Sequence, residues 1–306
     1  MTTLLDKLAG ALAAHGDVRR DERLSRHTTF GVGGPADVWV TVRSAQALGS
    51  VAQITRDSGE PLFVLGSGSN ILVADRGIRG VVVDNRARRE VANETLTNVR
   101  VESGTSFAAF SRRMCRAGRD GLTWAVGIPG TLGGAVVYNA GAYGGCLADV
   151  LVSVHLQAED GTADWLPAED LGLVYRGSMF TRGMFKDRVV LGAEVRLAEG
   201  DGGVLLARAA SHDAKRLTAQ PRGRNAGSMF KNPPQNPAWK LIEAVGLRGM
   251  TRGDAAISEQ HCNFFVNNGL ARAEDVAWLV NEAERRVSEQ FGVTLEREVA
   301  FVGEWV

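Results

Sequence analysis

Two glycine-rich segments have the composition of a site for a planar, phosphate-bearing ligand. The longer one, GIPGTLGGAVVYNAGAYGG at residues 127–145, holds seven glycines and no charged side chain. Backbone without side chains lets a flat ring system or a diphosphate come within hydrogen-bonding distance of the main chain. Apolar residues between the glycines would keep such a site dry, and three side chains would add directional polar groups: Tyr138, Asn139 and Tyr143.

The shorter segment, LGSGSN at residues 65–70, follows a predicted strand and combines two glycines with two hydroxyl side chains. Backbone N–H groups that converge in such a loop can bind an anion without a helix, so a diphosphate could lie here. A third segment, FGVGGPA at 30–36, matches the dinucleotide fingerprint G-x-G-x-x-A. We reject that interpretation because the fingerprint must open a helix, whereas Pro35 and the alternating DVWVTV that follows at 37–42 predict a strand. For any one segment the alternative is a tight turn, but three together favour a ligand site.

The periodicity of apolar residues predicts the elements that carry these segments. Helices are predicted at 2–14, 45–58, 107–116, 204–217 and 273–291, and another with Asn236 as N-cap and Pro237 in its first turn. Strands are predicted at 37–42, 61–65, 81–84, 99–102, 151–157 and 298–302. The chain thus opens as β-α-β after an N-terminal helix, and EGDGG at 199–203 is the predicted linker to a second part.

Composition restricts the class of protein. The chain has 306 residues, which allows one large or two ordinary domains, and Lys+Arg and Asp+Glu are 35 each, so no net charge attracts nucleic acid or an anionic membrane. Cys115, Cys146 and Cys262 are widely spaced and lack a C-x-x-C pair, which argues against a disulfide framework or a zinc site. The first residues lack a basic stretch followed by an apolar run, so we expect a cytoplasmic protein.

The motifs, taken in order, resemble one family of flavoenzymes. HTTFGVGGPAD, LGSGSNILVADRGIRGVVV and GIPGTLGGAVVYNAGAYGG are followed by VYRGSMF, AGSMFKNP, SEQHCNFFVNNGLA and LEREV. This series resembles the UDP-N-acetylenolpyruvoylglucosamine reductase family of peptidoglycan precursor synthesis, over roughly residues 27 to 305. The 52 positions from Arg176 to Ser228 leave no room for a lid segment with a substrate-side tyrosine, so the chain is similar to the shorter subclass. How the nucleotide end of the substrate is covered therefore stays open.

The resemblance implies an α+β fold. An FAD-binding domain of the vanillyl-alcohol-oxidase (PCMH) type, made of two α+β subdomains, would be followed by a C-terminal α+β substrate-binding domain. The implied boundaries are 1–20 for an N-terminal helix, 21–200 for the FAD-binding domain and 201–306 for the substrate-binding domain. Non-covalent FAD would be held by residues of the two glycine-rich segments: Gly66, Ser67, Gly68, Ser69, Asn70, Ile128, Pro129, Gly130, Gly133, Gly134, Asn139, Ala140 and Gly141.

The reaction implied is reduction of an enolpyruvyl double bond, with NADPH as the hydride donor to FAD. Hydride addition at the methylene carbon makes the neighbouring carbon an enolate, so the site must stabilise negative charge and deliver a proton. By the resemblance, Arg176 would stabilise the charge, Ser228 would donate the proton and Glu298 would be the third catalytic residue. We hypothesise that burial keeps Glu298 protonated or that it acts through a water. Glu296 is the alternative, because residues two apart on a strand share a face.

Three further residues are expected to bind the substrate, a UDP-sugar: Tyr175, Lys231 and Asn232. For Tyr175 a place in the core is an equal alternative. Two other functions stay open: an alcohol or sugar oxidase of the same superfamily, for which Cys146 is the nearby candidate for a covalent flavin bond, and a nucleotide-binding module without chemistry. We expect a monomer that binds neither nucleic acid nor membrane.

Overall fold

The structure, a computed structural model, describes residues 3–12, 17–234 and 236–305. Its helices are α1 Leu4–Leu12, α2 Ala45–Asp57, α3 Phe107–Arg116, α4 Leu132–Val137, α5 Gly202–Ala219, α6 Ala238–Ala244 and α7 Ala273–Phe291. The strands are β1 Asp17–Arg23, β2 Pro35–Val42, β3 Leu62–Leu65, β4 Ile71–Val73, β5 Ile78–Asn85, β6 Glu90–Ala92, β7 Asn98–Glu102, β8 Arg119–Asp120, β9 Gly141–Ala142, β10 Gly145–Cys146, β11 Leu151–Gln157, β12 Ala163–Pro167, β13 Val189–Arg196, β14 Ala198–Glu199, β15 Thr251–Arg252, β16 Ala255–Ile257, β17 Phe265–Asn267 and β18 Ala300–Val302.

The chain forms two compact units, each made of several segments. The first unit contains residues 1–20, 38–66 and 80–215, and the second contains residues 21–37, 67–79 and 216–306. The loop 66–70 therefore changes unit after Gly66. Gly202 and Gly203 of the predicted linker are the first residues of α5. The domain boundaries expected at 20/21 and 200/201 remain a proposal.

The first unit is built on two sheets with separate cores. Strands in the order β1-β2-β5-β3 form a four-stranded sheet, and β12-β11-β13-β7-β6 form an antiparallel five-stranded sheet. Apolar side chains of α1 and α2 pack with Val38, Val40 and Val42 of β2. Helices α3 and α4 contribute to the core on the second sheet, with Phe107, Phe110 and Leu132 fully buried or nearly so. The second core lies directly beside the long glycine-rich segment.

The second unit packs one long helix against small sheets. The apolar stripe of α7, which includes Val276, Leu279 and Val280, is completely buried with Phe265 of β17. Strands β15-β16-β17 form an antiparallel sheet, and β4 pairs in parallel with β18, the last strand of the chain. This pairing brings the residue after LGSGS close to the LEREV motif.

The helices and strands that the sequence predicts are found, most of them with small shifts of their ends. The bounds of α3 and α7 are confirmed to the residue, and Gly292 ends α7 with a φ of +64°, a conformation that favours glycine. The side chain of Ser44 caps α2 by accepting a hydrogen bond from the Ala47 N–H at 3.1 Å. The strand that argued against a dinucleotide fingerprint in FGVGGPA is confirmed as β2.

Two predicted features are wrong in detail, and one helix was not predicted. Pro237, not Asn236, is the N-cap of α6, and the first N–H of the helix, that of Ala238, donates to the Asn232 side-chain oxygen at 3.1 Å. The last strand begins at Ala300 and not at Glu298, because the Glu298 N–H donates to Met229 rather than to β4. Helix α4 was not predicted and lies within the long glycine-rich segment.

The described residues contain no helix that is both long and apolar enough to cross a membrane. Among residues 3–12, 17–234 and 236–305, no group of three or more histidine, cysteine or acidic side chains is placed to hold a metal ion.

Candidate active site

Gly68 holds a loop position that favours glycine for two reasons. Its φ is +60°, in the left-handed region, and a Cβ on it would lie 2.3 Å from the His27 carbonyl oxygen. The Gly68 carbonyl accepts a hydrogen bond from the Thr29 N–H at 3.1 Å. The second glycine of LGSGSN is therefore required by the close approach of this loop to the HTTFGVGG segment.

Asn70, expected to bind the cofactor, also supports a predicted catalytic residue. Its side-chain amide donates to the Glu298 carbonyl oxygen at 3.1 Å, and its own carbonyl accepts from the Ala300 N–H at 3.0 Å. The structure thus brings Asn70 and the backbone of Glu298 together within the second unit. The asparagine of LGSGSN fixes the start of β18 whether or not its remaining oxygen contacts a ligand.

In the long glycine-rich segment, some glycines serve packing rather than ligand access. The N–H groups of Leu132 and Gly133 donate to the carbonyls of Thr105 and Ser103, at 2.9 and 2.8 Å. A Cβ on Gly133 would lie 3.0 Å from the Ser103 Cβ. Gly130 has a φ of +135°. These positions let the loop and the first turn of α4 lie directly on the chain ahead of α3.

Other residues of the two segments do present accessible backbone. Gly134 and Pro129 are exposed, and a Cβ on Gly134 would meet only the Thr131 hydroxyl at 3.7 Å within 4 Å of it. Ser67 is also exposed, and Ser69 is half-buried. Ile128 and Ala140 are half-buried and pack on the core of the second sheet. Within the first unit, exposed residues of the long segment thus alternate with apolar ones that pack on the core, which is the pattern that the composition predicts.

Arg176 lies at the tip of a two-residue hairpin. The N–H groups of Val174 and Gly177 donate to each other's carbonyls at 3.0 and 3.2 Å, so Tyr175 and Arg176 form the turn. Arg176 has a φ of +50°, which a residue with a side chain rarely adopts. Its guanidinium donates to the Gly141 carbonyl at 2.6 Å. The backbone strain and this bond hold the cation beside the glycine-rich segment. Tyr175 is 57% exposed, which excludes a place in the core.

Two buried polar side chains attach this hairpin to the glycine-rich segment. Asn139 donates to the Val174 carbonyl at 2.9 Å and accepts from the Ala148 N–H at 3.0 Å. Ser178, completely buried, donates to the Val137 carbonyl at 2.6 Å. The side-chain nitrogen of Asn139, a residue expected to bind the cofactor, therefore positions the Arg176 hairpin, and its side-chain oxygen holds the backbone at Ala148.

Ser228 belongs to a short extended segment in the second unit. It forms an antiparallel bridge with Phe264, and the next N–H, that of Met229, donates to the Asn263 carbonyl at 2.7 Å. On its other side, the Met229 carbonyl accepts from the Glu298 N–H at 2.8 Å. Ser228 is half-buried, whereas Met229 is 1% exposed. The structure thus places the backbones of Ser228 and Glu298 on adjacent segments.

The surroundings of the two glutamates separate Glu298 from its alternative. Glu296 is exposed, and its carboxylate makes an ion pair with the Lys231 ammonium at 2.5 Å. Glu298 is half-buried and lies next to Met229. Glu298, and not Glu296, donates its N–H to the segment that carries Ser228, so the geometry is consistent with the choice of Glu298. Lys231 and Asn232, expected to bind substrate, both have contacts within the protein, Lys231 with Glu296 and Asn232 with the N-terminus of α6.

Cys146, the candidate for a covalent flavin bond, has an unreactive environment. Its thiol lies 3.5 Å from an oxygen of Asp149. Partial burial, and then the neighbouring Asp149 carboxylate, raise the pKa of the Cys146 thiol. Because the thiolate is the nucleophilic form of cysteine, these surroundings disfavour attack on a flavin.

Sequence reasoning missed the residues that support the site rather than touch it. Ser178 and Asn263 lie inside the motifs VYRGSMF and SEQHCNFFVNNGLA, but nothing in their type or spacing distinguishes a buried clamp from a turn residue. Thr29, whose hydroxyl donates to the Asn225 carbonyl at 2.7 Å, joins HTTFGVGG to the chain just before Ser228. The one sequence signal for these supporting residues is that they lie within the motifs.

Comparison with known proteins first defines the class. The FAD binding domain family matches residues 36–166, which include both glycine-rich segments. With the α+β architecture, this match makes the protein an oxidoreductase with an FAD-binding domain. A second family, "UDP-N-acetylenolpyruvoylglucosamine reductase, C-terminal domain", matches residues 219–302, which include Ser228 and Glu298.

Relatives of similar length then give the family. The chain is 41% identical over 293 residues to UDP-N-acetylenolpyruvoylglucosamine reductase of Chloroflexus aggregans, covering 93% of this chain and 97% of that one. It is 38% identical to the reductase of Clostridioides difficile, covering 94% of each chain. The crystal structure of the Thermus caldophilus reductase superposes with a TM-score of 0.79 at 37% identity, covering 94% of this chain and 99% of that chain. The chain therefore belongs to the UDP-N-acetylenolpyruvoylglucosamine reductase family, and the fold class expected from the motifs is confirmed.

Proposed function

We propose that this protein reduces UDP-N-acetylglucosamine enolpyruvate to UDP-N-acetylmuramate, with NADPH as hydride donor and FAD as the carrier, in peptidoglycan precursor synthesis. The observation that carries the proposal is the pairing of the Ser228 segment with the Glu298 segment. Ser228, the proton donor of this proposal, and Glu298 lie on adjacent segments of the region that matches the C-terminal domain of the reductase family.

FAD, when bound, would accept hydride from NADPH and pass it to the methylene carbon of the substrate. In the first unit, the exposed residues Gly134 and Pro129 leave space for such a group; the Gly134 N–H already donates to the Thr131 hydroxyl at 3.4 Å, and Pro129 has no N–H. In the second unit, Ser67 is exposed. The other residues expected to bind the cofactor would define the shape of its site. Those whose side chain or N–H is already hydrogen-bonded within the protein would not bond to FAD through that group. These other residues are Gly66, Gly68, Ser69, Asn70, Ile128, Gly130, Gly133, Asn139, Ala140 and Gly141. A non-covalent flavin agrees with the raised pKa of the Cys146 thiol.

Arg176 would bind the carboxylate of the enolpyruvyl group and stabilise the charge that develops on it. A guanidinium stays charged at every relevant pH, and its planar fork matches two carboxylate oxygens. The bond to the Gly141 carbonyl and the hairpin backbone fix one edge of the guanidinium. Pre-set orientation of this kind is what electrostatic stabilisation of a transition state requires.

Ser228 would give its hydroxyl proton to the enolate carbon, and Glu298 would assist it. A serine hydroxyl is a weak acid, so this step needs the strong basicity of an enolate carbon and a nearby group to support the alkoxide. Glu298, half-buried on the adjacent segment, could hold a proton itself or act through a water. Tyr175, Lys231 and Asn232 would contact the UDP-sugar, and the protein would act as a cytoplasmic monomer.

The proposal is tested by the two half-reactions measured separately in Ser228→Ala. Flavin reduction by NADPH should be unchanged, because no proton from Ser228 is needed there. Reoxidation by the enolpyruvyl substrate should slow by roughly 10²–10⁴-fold, the usual cost of a lost general acid. Ser288→Ala, an exposed serine on α7, is the control and should change neither step. Equal slowing of both steps in Ser228→Ala would show that Ser228 has a different role.

A further inference from the structure

Asn263 makes three hydrogen bonds to the segment that carries Ser228. Its carbonyl accepts from the Met229 N–H at 2.7 Å. Its side-chain oxygen accepts from the Phe230 N–H at 2.9 Å, and its side-chain nitrogen donates to the Phe230 carbonyl at 2.7 Å. Asn263 is 2% exposed and Phe230 is 1% exposed, so these bonds are shielded from water.

The side chain of Asn263 makes the two hydrogen bonds to Phe230 that the backbone of a neighbouring strand would otherwise make. Phe230 pairs with Arg297 in an antiparallel bridge whose hydrogen bonds come from Met229 and Lys231, so the N–H and carbonyl of Phe230 point to the other side. On that side the chain turns away, since the Phe264 N–H donates to the His261 carbonyl at 2.9 Å. A carboxamide offers one donor face and one acceptor, as a peptide group does. The Asn263 side chain therefore extends the pattern of strand hydrogen bonds to Phe230, at the point where its own backbone turns away.

Because the backbone of 228–230 is held on both sides, the position and direction of the Ser228 Cα–Cβ bond, from which the hydroxyl projects, are fixed as well. Phe230 is held by Asn263, and Met229 by Asn263 and Glu298 together. A misplacement of about 1 Å in a reacting group can cost roughly 10²-fold in rate. Loss of either bond at Phe230 would leave a buried backbone group without a partner and move the segment.

We infer that Asn263 is a positioning residue that sets the Ser228 hydroxyl for proton delivery; this rests on the proposed function, in which Ser228 protonates the substrate. Asn263 itself touches neither the substrate nor the cofactor in this role. Its effect belongs to the second half-reaction alone, because flavin reduction by NADPH needs no proton from Ser228.

The variant that tests the inference is Asn263→Asp, which keeps the shape and the acceptor but places a carboxylate oxygen against the Phe230 carbonyl. Asn263→Ser replaces it if the aspartate variant does not fold. Asn267→Ala is the matched control, since Asn267 is 6% exposed and also makes hydrogen bonds at both ends of its amide, to the Phe30 carbonyl at 3.0 Å and from the Gly269 N–H at 2.8 Å.

Each purified holoenzyme is reduced anaerobically with NADPH and then mixed with the enolpyruvyl substrate in H2O and in D2O. We expect Asn263→Asp to keep the rate of flavin reduction and to slow reoxidation by roughly 10- to 10²-fold. The solvent isotope effect on reoxidation should rise, because proton delivery becomes the slow step. Asn267→Ala should keep the wild-type ratio of the two rates and the wild-type isotope effect.

A ratio and an isotope effect in Asn263→Asp equal to those of Asn267→Ala would overturn the inference and assign Asn263 a purely structural role. Ser228→Ala, measured in parallel, separates this failure from that of the proposed function. If Ser228→Ala slows reoxidation and the Asn263 variant does not, only the positioning role is wrong. If Ser228→Ala leaves reoxidation unchanged, the proposed chemistry itself is wrong.

Discussion

At the residue scale, the two glutamates of LEREV give a test with a built-in control. Glu298→Gln should slow the proposed reoxidation step by roughly 10²-fold and change the shape of its pH profile, because an amide cannot take part in proton transfer. Glu296→Gln should leave the shape of the profile unchanged, since the Glu296 carboxylate is exposed and pairs with Lys231, a residue proposed to bind substrate and not to transfer a proton. A Glu298→Gln profile that matches the wild type in both size and shape would remove Glu298 from the mechanism.

Substitution of Gly68, compared with that of Gly59, separates the effect of a left-handed backbone from the effect of a steric clash on flavin binding. Gly68→Ala places a methyl group against the His27 carbonyl, so we expect the loop to shift and the protein to retain less FAD after gel filtration. Gly59→Ala is the control: Gly59 has a φ of +68° but nothing within 4 Å of its Cβ position. That variant should show only the cost of a left-handed alanine, about 1–2 kcal/mol, with its flavin content unchanged. Equal flavin content in both variants would contradict a role for the Gly68 loop in binding.

At the element scale, α7 is capped by a residue from far along the chain. The Asp75 carboxylate accepts hydrogen bonds from the N–H groups of Ala273 and Glu274 at 3.0 and 3.1 Å. Asp75→Ala should destabilise the second unit by about 1 kcal/mol, seen as faster amide hydrogen exchange in the first turn of α7. Asp187→Ala, an exposed aspartate in a turn, should leave this exchange unchanged. Unaltered exchange in Asp75→Ala would show that water or another group caps the helix equally well.

His261 links the Ser228 region to pH. Burial, and then the charge of Arg248, lower the pKa of His261 below its usual value of about 6.5, and its Nδ1 accepts from the Asn263 N–H at 3.3 Å. Trp239 and Phe264 contribute the neighbouring rings. A depressed histidine pKa means that the unfolded chain binds the proton more tightly, so this stability is complete above pH about 6.5 and is lost as the pH falls towards the folded-state pKa.

We therefore expect the free energy of unfolding to decrease when the pH is lowered from about 7.5 to about 5.5. In His261→Gln the decrease should be smaller, because glutamine keeps an acceptor but does not titrate. His155 and His212 also have pKa values lowered by burial, so part of the decrease should remain. Urea unfolding at several pH values measures this, and an identical pH dependence in His261→Gln would exclude the contribution of His261.

At the scale of the whole molecule, the sequence predicts the elements better than the contacts between them. Strong apolar periodicity gave α7 to the residue, and ordered motifs gave the family and fold class. Helix α4 was missed because it is only six residues long and two of them are glycines, although the Thr131 side chain caps it. The cap of α6 was misplaced because Asn232, six residues before the first helical N–H, takes the place expected of Asn236.

The roles of individual site residues depend on contacts that no local pattern reveals. Asn139 and Asn70 lie in glycine-rich segments, and the sequence predicts that both contact a ligand. In the structure the side-chain amides of both make hydrogen bonds to the backbone of other segments. Asn263 and Ser178 read as ordinary motif residues, yet they fix the two segments that carry Ser228 and Arg176. Long-range hydrogen bonds of this kind join residues far apart in sequence, so only the folded chain shows them.

The most direct test of the central claim is the visible absorption spectrum of the purified protein, followed through two additions without oxygen. The account predicts a yellow flavin spectrum that bleaches with NADPH and returns only when the enolpyruvyl substrate is added. Acid precipitation should release that flavin, because it is not covalently bound. A colourless protein that cannot be reconstituted with FAD, or a bleached flavin that the substrate fails to reoxidise, would contradict the account.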